Sequence, residues 1–337
     1  MPSLLKPSDI VRQLSEHVIG QEEAKRTLAV AIYAHFRRMA NATVDSVELT
    51  KSNILLIGPT GTGKTLLCET LARILDVPFV TADATSLAQT QFVGDEIEAI
   101  LHRLLDRADG DLSRAQRGIV FVDEVDKLKA VSGQARATSG ESVQHALLKI
   151  MEGAPVRLKD GRHIDTTHIL FICGGAFVGL DNILTKTHTF GFISTSGGDD
   201  QQILERLNAR VKPTDLLEFG LIPEFAGRLP IVTRLYPLSQ EMLVRIMTEP
   251  KNAIVKQFAA MLKGDGVELQ IETDVFRQIA ELAIEYKAGA RSLRGIFEEM
   301  MTDVLYAVPD HPEIRKVVIK SLFEPPRYLG ARPEADA

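Results

Sequence analysis

Asn53-Ile54-Leu55-Leu56-Ile57-Gly58-Pro59-Thr60-Gly61-Thr62-Gly63-Lys64-Thr65 is the stretch on which the fold turns. Its first five residues form a short apolar run of strand type. The last eight form a glycine-rich turn with the spacing G-x-x-x-x-G-K-T. Helical periodicity then runs from Thr65 to Leu75. Strand, glycine turn and helix in that order can build a phosphate cradle. The glycines let backbone N–H groups turn inward, and the helix adds its positive N-terminal end. In such a cradle Lys64 reaches the β- and γ-phosphates and the Thr65 hydroxyl ligates Mg²⁺. With average residue usage, a chance match arises in about one chain in a hundred of this length.

A second element lies downstream. Gly118-Ile119-Val120-Phe121-Val122 reads as a buried strand that delivers Asp123-Glu124 to its polar end. There Asp123 holds Mg²⁺ through water, and Glu124 polarises the attacking water as a general base. Taken alone, the same pattern describes a strand end followed by a solvated acidic turn. The glycine turn upstream tips the balance toward the metal. Phosphoryl transfer also calls for positive charge on the developing γ-phosphate. Arg228, in Pro223-Glu224-Phe225-Ala226-Gly227-Arg228-Leu229-Pro230, and Arg291, in Gly289-Ala290-Arg291-Ser292, are candidates. On spacing alone each is better read as a surface or structural arginine.

Working outward, short apolar runs alternate with helical segments. Strands are expected at 53–57, 78–80, 118–122 and 168–172. Helices are expected at 8–14 (Ser8 as N-cap), 21–39, 65–75, 95–106 and 142–152. This is the pattern of an α/β domain whose parallel sheet is covered on both faces, with ligands beyond the carboxyl ends of the strands. Gly179 to Asp200 reads as a loop on its Thr, Ser and Gly content. After Pro237 the pattern changes to amphipathic helices at 242–247, 252–262, 275–286 and 293–305, with short strands at 267–271 and 316–319. The expected organisation is a large nucleotide-binding domain over 1–237, a smaller, mostly helical C-terminal domain over 238–325, and a frayed tail over 326–337.

Composition narrows the function class. Lys and Arg total 39 and Asp and Glu 45 in 337 residues, a net charge of −6. That balance argues against bulk electrostatic binding to nucleic acid or anionic lipid. No apolar run approaches the roughly 18 residues of a membrane span, and the N-terminus has no signal-peptide core. The two cysteines, Cys68 and Cys173, are too few for a disulfide framework or a four-ligand zinc site, so no zinc is expected. A reducing, cytoplasmic setting fits best.

Several stretches together resemble AAA+ ATPases of the ClpX type, ring unfoldases that partner the ClpP peptidase. They are Val18-Ile19-Gly20-Gln21, Lys51 to Thr65, Ala115 to Glu124, Ile169 to Phe177, Phe219 to Pro230 and Gly289-Ala290-Arg291. The resemblance runs from about Ser8 to Tyr328. It implies a homo-hexameric ring with ATP and Mg²⁺ bound between subunits and between large and small domains. The ATP-binding set it implies is Val18 and Ile19, packed on the adenine, with Gly58, Pro59, Thr60, Gly61, Thr62, Gly63, Lys64, Thr65 and Leu66. Thr65 and Asp123 hold the metal. Glu124, Arg228 as an arginine finger in the neighbour's site, and Arg291 as the sensor of nucleotide state carry the catalysis.

The family's pore loop reads Gly-Tyr-Val-Gly; here it is Gln91-Phe92-Val93-Gly94, so Phe92 and Val93 are the expected substrate grip. Read by itself, Phe92 is an ordinary core aromatic. A second pore loop is expected within 131–141. A third, basic loop is expected between Pro155 and Asp165, where only Lys159, Arg162 and His163 are basic; a solvated charged hairpin describes it equally well. The family's protease-docking tripeptide Ile-Gly-Phe becomes Phe190-Gly191-Phe192. The family's four-cysteine zinc domain has no counterpart in this sequence. The resemblance implies an ATP-dependent unfoldase that delivers unfolded or tagged proteins to a ClpP-type peptidase. The alternative is an ATP-driven remodeller of protein complexes that needs no protease. A DNA-acting motor is disfavoured by the charge, and an HslU-type unfoldase by the lack of a large inserted domain.

Overall fold

The computed structural model describes residues 5–40, 51–90, 92–129, 137–189 and 210–330, with the side chains of 137–139 and 186–189 excepted. Two compact units emerge. Among the described residues, the larger draws on 5–14, 22–40, 51–59 and those between 64 and 235, and the smaller on 15–21, 60–63 and 236–330.

Among the described residues, the strands of the larger unit are β1 (Ile54–Ile57), β2 (Phe79–Asp83), β3 (Ile119–Asp123), β4 (Pro155–Arg157), β5 (His163–Asp165), β6 (Leu170–Gly175) and β7 (Ile231–Arg234). Five of them form one sheet in the order β2-β3-β6-β1-β7, every pair parallel. Ile54, Leu55, Leu56, Ile119, Val120, Phe121, Val122, Phe171 and Ile172 are all fully buried. Continuous apolar strands of this kind need cover on both faces, because successive side chains point to opposite sides. Removing one of these large side chains to Ala would cost about 2–5 kcal/mol.

The order decides where chemistry can gather. β6 separates β1 from β3, so the glycine turn after β1 and the acidic pair after β3 stand two strands apart at the same end. The registers Ile57↔Gly175 and Val122↔Cys173 bring the ends of all three strands level.

Two expectations are corrected in this unit. The first helix spans Pro7–Ser15; Pro occupies its first position, where a missing N–H costs nothing, so Ser8 lies inside the helix and is not its cap. Leu180–Thr189 is a helix, not a loop. Leu180 and Leu184 are buried one helical turn apart, and that apolar pair outweighs the low helix propensity of its threonines. The stretch 155–165 is an antiparallel hairpin of β4 and β5. Its Arg162 is tied to Asp160, with Nη2 2.6 Å from Oδ2. Residues 130–136 lie outside the described residues, and 137–141 open the helix Ala137–Glu152.

The smaller unit holds β8 (Glu268–Ile271), β9 (Ile314–Ile319) and β10 (Arg327–Gly330), in the order β10-β9-β8. Four helices, Gln240–Thr248, Ile254–Gly264, Thr273–Glu285 and Arg291–Ala307, bury Leu243, Phe258, Ile279, Leu293, Phe297 and Val304 against them. Phe258 and Phe297 meet with ring centroids 5.0 Å apart. The first part of the stretch expected to fray is strand β10, antiparallel to β9. Its side chains are all exposed, so backbone pairing and not burial recruits it.

Candidate functional site

The glycine turn follows β1 directly and opens the helix Lys64–Leu75. Gly58 N donates to Gly175 O at 3.0 Å, which fastens the turn to the end of β6. A Cβ on Gly58 would stand 2.6 Å from Leu235 O, so no larger residue fits there. Gly61 and Gly63 have φ of +79° and +96°, the left-handed region that glycine enters without steric cost. Open space surrounds the position of a Cβ on Gly63. Lys64, nearly buried, donates from Nζ to Gly58 O at 2.5 Å and Pro59 O at 3.1 Å. The lysine thus folds back over its own loop, its charge held where phosphate oxygens would enter. Thr62 is buried, Thr65 half-buried, and Pro59, Thr60 and Leu66 are exposed.

Asp123 closes β3, and its Oδ2 lies 3.5 Å from the Thr65 hydroxyl. Two residues 58 positions apart are thereby brought together by the strand order. Hard oxygen donors of this kind suit Mg²⁺, which takes one or two protein oxygens and completes its shell with phosphate and water. The residues present therefore fit a Mg²⁺–nucleotide. Among the described residues, no cluster of three or more His, Cys, Asp or Glu is gathered for a metal. Behind the site, burial and the Asp123 charge push the Cys68 thiol up, and burial pushes Cys173 up to about 12. Both thiols stay protonated and inert.

Glu124 follows at φ +60°, ψ 29°. A non-glycine residue pays about 1–2 kcal/mol for this left-handed conformation. Asp123 Oδ1 accepts from Glu124 N at 2.9 Å and offsets part of that cost. The turn also ends the pleat that would send Asp123 and Glu124 to opposite faces. Glu124 is exposed at the polar end of the sheet.

Arg228 caps the short helix Pro223–Gly227, and its Nη2 pairs with Glu152 Oε1 at 2.6 Å. Both partners are about half exposed, so the pair contributes little to stability and can open. Asn53, buried just before β1, donates to the carbonyls of Arg228 and Met151. Phe92 is 70% exposed at the start of the helix Val93–Arg107, and is not a core residue. Val93 packs partly on the core.

In the smaller unit, Val18 and Ile19 are buried. Gln21, at φ +58°, brackets the Tyr236 backbone: Nε2 donates to Tyr236 O at 2.8 Å, and Tyr236 N donates to Oε1 at 3.0 Å. Gly61 O accepts from Ala290 N at 3.2 Å, next to Arg291. Arg291 opens its helix exposed, and makes no ion pair among the described residues. Phe190, Gly191 and Phe192 lie outside the described residues.

Residues 49–232 match the AAA domain of the Cdc48 subfamily, and 238–319 match the C-terminal, D2-small domain of ClpB protein. An ATP-dependent Clp protease ATP-binding subunit ClpX from Treponema denticola is 46% identical over 330 residues, covering 93% of this chain and 80% of that protein. The ClpX of Azotobacter vinelandii is 47% identical over 338 residues, covering 93% and 77%. The chain belongs to the ClpX family of AAA+ ATPases. As a ClpX-family protein it is an ATPase, with the parallel-sheet large domain and smaller helical domain described above. Family membership implies nucleotide and Mg²⁺ use, which agrees with the oxygen donors of Thr65 and Asp123. No helix among the described residues is long and apolar enough to cross a membrane.

Three residues that shape the site in the larger unit were not singled out from the sequence as functional: Asp126, Gly174 and Gly175. The glycine pair carried a signal, since two adjacent glycines at the end of an apolar strand mark close approach. A Cβ on Gly174 would lie 2.6 Å from the Phe121 ring and 3.3 Å from Asp123 Oδ1.

Proposed function

We propose that the protein is a cytoplasmic ATP-driven unfoldase that works as a homo-hexameric ring, threads polypeptides through a central pore and delivers them to a ClpP-type peptidase. The observation that carries this reading is similarity over 93% of the chain to relatives named as ATP-binding subunits of the Clp protease. Bound ATP supplies the transferable γ-phosphoryl group, with Mg²⁺ neutralising its oxygens.

The chain's own residues do the rest. Gly58 to Leu66 hold the triphosphate, and Val18 and Ile19 pack on the base. Lys64 exchanges its two carbonyl partners for phosphate oxygens. Thr65 and Asp123 hold the metal, and Glu124 takes the proton of the attacking water. Arg228 leaves Glu152 to stabilise charge in a neighbour's site, and Arg291 reports nucleotide state to the small domain. Such coupling converts hydrolysis into domain motion. An exposed Phe92 offers a non-specific apolar grip at the pore, with Val93 packed behind it. Phe190-Gly191-Phe192 would enter an apolar pocket of the peptidase.

Degradation of a folded, tagged protein with ClpP from the same source tests the proposal. Degradation is expected only with ATP and both partners present. Phe92→Ala is expected to keep the ATPase and slow unfolding severalfold. Arg228→Ala is expected to lose most of the ATPase. A chain that stays monomeric in saturating nucleotide, or unfolds substrates normally with Phe92→Ala, would count against it.

A further inference from the structure

Glu124 occupies a left-handed backbone conformation, and a structure that keeps it there must bind the following turn firmly. That turn is the 3₁₀ segment Val125–Leu128, closed by Lys127 N donating to Glu124 O at 3.0 Å. Within it Asp126 is 4% exposed, a carboxylate almost wholly removed from water. It reaches across to the residues that follow β6. Ala176 N donates to its Oδ1 at 3.3 Å, and Phe177 N to its Oδ2 at 3.2 Å. Two successive N–H groups gripping one anion make a backbone nest. Phe177 is itself left-handed, with φ +51°, as the nest requires.

Gly175 makes the approach possible. A Cβ there would stand 2.5 Å from Asp126 Oδ1 and 2.8 Å from the Phe177 ring. The carbonyl of the same Gly175 accepts from Gly58 N, the first residue of the glycine turn. Residues 175–177 are thus bonded on one side to the phosphate-binding loop and on the other to the turn that carries Glu124. Val125 and Leu128 also anchor that turn, both fully buried. Apolar contacts are non-directional, however, and the two amide bonds to Asp126 are what set its rotation.

We infer that Asp126 is a positioning residue for ATP hydrolysis: it locks the turn after β3 to the end of β6, and so fixes Glu124 against the phosphate held by the glycine turn. The inference rests on Glu124 being the general base. Asparagine at 126 keeps the size and one acceptor, but turns an NH₂ toward one of the two amides, so one bond is lost and the turn is freed to rotate.

The test is steady-state ATP hydrolysis, with kcat expressed per nucleotide-binding site counted with a fluorescent ATP analogue. Asp126→Asn is expected to lower kcat about ten- to a hundredfold, as a misplacement near 1 Å does, while KM for ATP stays within twofold. Gly175→Ala, which crowds the same carboxylate from β6 and leaves Asp126 in place, is expected to act likewise. It decides the matter should Asp126→Asn fail to fold. Glu124→Gln separates the two layers. If it is inactive while both other variants turn over at the wild-type kcat, the positioning role is overturned and the base assignment stands. If it hydrolyses normally, the base assignment and this inference fall together. A raised KM with unchanged kcat in the first two variants also overturns the inference.

Discussion

The two ends of the large sheet hold charge in opposite ways. At the carboxyl end, Asp123 and Glu124 are half-buried or exposed, and Lys64 rests on two loop carbonyls beside them. At the amino end, a cluster of basic side chains is packed away on the 3₁₀ turn Thr166–His168. Lys51 Nζ donates to Thr166 O at 2.9 Å, Arg38 Nη2 to Thr167 O at 3.2 Å, and His35 Nε2 to His168 O at 3.0 Å. Three successive carbonyls thus each accept from one basic group, while His35 Nδ1 and Arg38 Nε are buried without a partner among the described residues. Since a carbonyl only accepts, His35 carries its proton on Nε2. Burial, reinforced by Arg38, lowers its pKa to about 3, so the ring is neutral. Burial and then Arg38 lower Lys51 to about 7, with Asp165 opposing. The lowered pKa values of His35 and Lys51 therefore lie away from the reactive end. A strongly shifted pKa is a functional hint where the group lies in a cleft; His35 and Lys51 face backbone carbonyls instead.

The sharpest way to break this contrast is to remove charge at each end in turn. Glu124→Gln is expected to lower kcat at least a hundredfold with ATP binding retained, measured by turnover and by nucleotide titration. Lys51→Met is expected to leave kcat within about twofold and not to lower stability at pH 7, since it removes the burial penalty on the lysine and Thr166 O keeps its second donor, Ile169 N. A large loss of turnover with Lys51→Met would show that the amino end takes part in the chemistry.

Gly174→Ala probes the strand between the two. Its new Cβ would press on the Phe121 ring. The expected cost is about 1–3 kcal/mol in denaturant unfolding, with kcat lowered through the neighbouring Asp123.

Smaller effects come from pH. His35 is neutral in the fold down to about pH 3 but takes up a proton below 6.5 when unfolded. The unfolded chain therefore binds more protons in that window, and stability falls as the pH drops through it. Between pH 7 and 5.5 this loss is about 1 kcal/mol, and His35→Gln is expected to remove it from urea-unfolding midpoints. Lys51 gives a second window: stability contributed by this group rises with pH from about 7 toward 10.5, and Lys51→Met is expected to flatten that rise.

Much of the carboxyl end was legible in the chain. The glycine turn, Lys64, Thr65 and the Asp123-Glu124 pair are local patterns whose chemistry depends on spacing, and spacing survives in one dimension. Asp126 was not legible, because a carboxylate two residues past a strand reads as one more solvated acid in the turn. Only the insertion of β6 beside β3 supplies the amides of Ala176 and Phe177 that bury it. The helix Leu180–Thr189 hid behind its threonines, and β4 and β5 are too short for periodicity to register. The exposure of Phe92 was equally out of reach, since apolar character alone favours the core.

Local sequence, then, determined the strand–turn–helix cradle, the acidic pair, the parallel α/β class and the change to a helical region after Pro237. All of these rest on short-range periodicity and on the backbone freedom of glycine. Tertiary structure decided the strand order, and with it which distant residues touch: Thr65 with Asp123, Gly58 with Gly175, Asp126 with the amides after β6. Hydrogen bonds and close approaches depend on distances of a few ångströms between segments far apart in the chain, and those distances exist only once the sheet has closed its register.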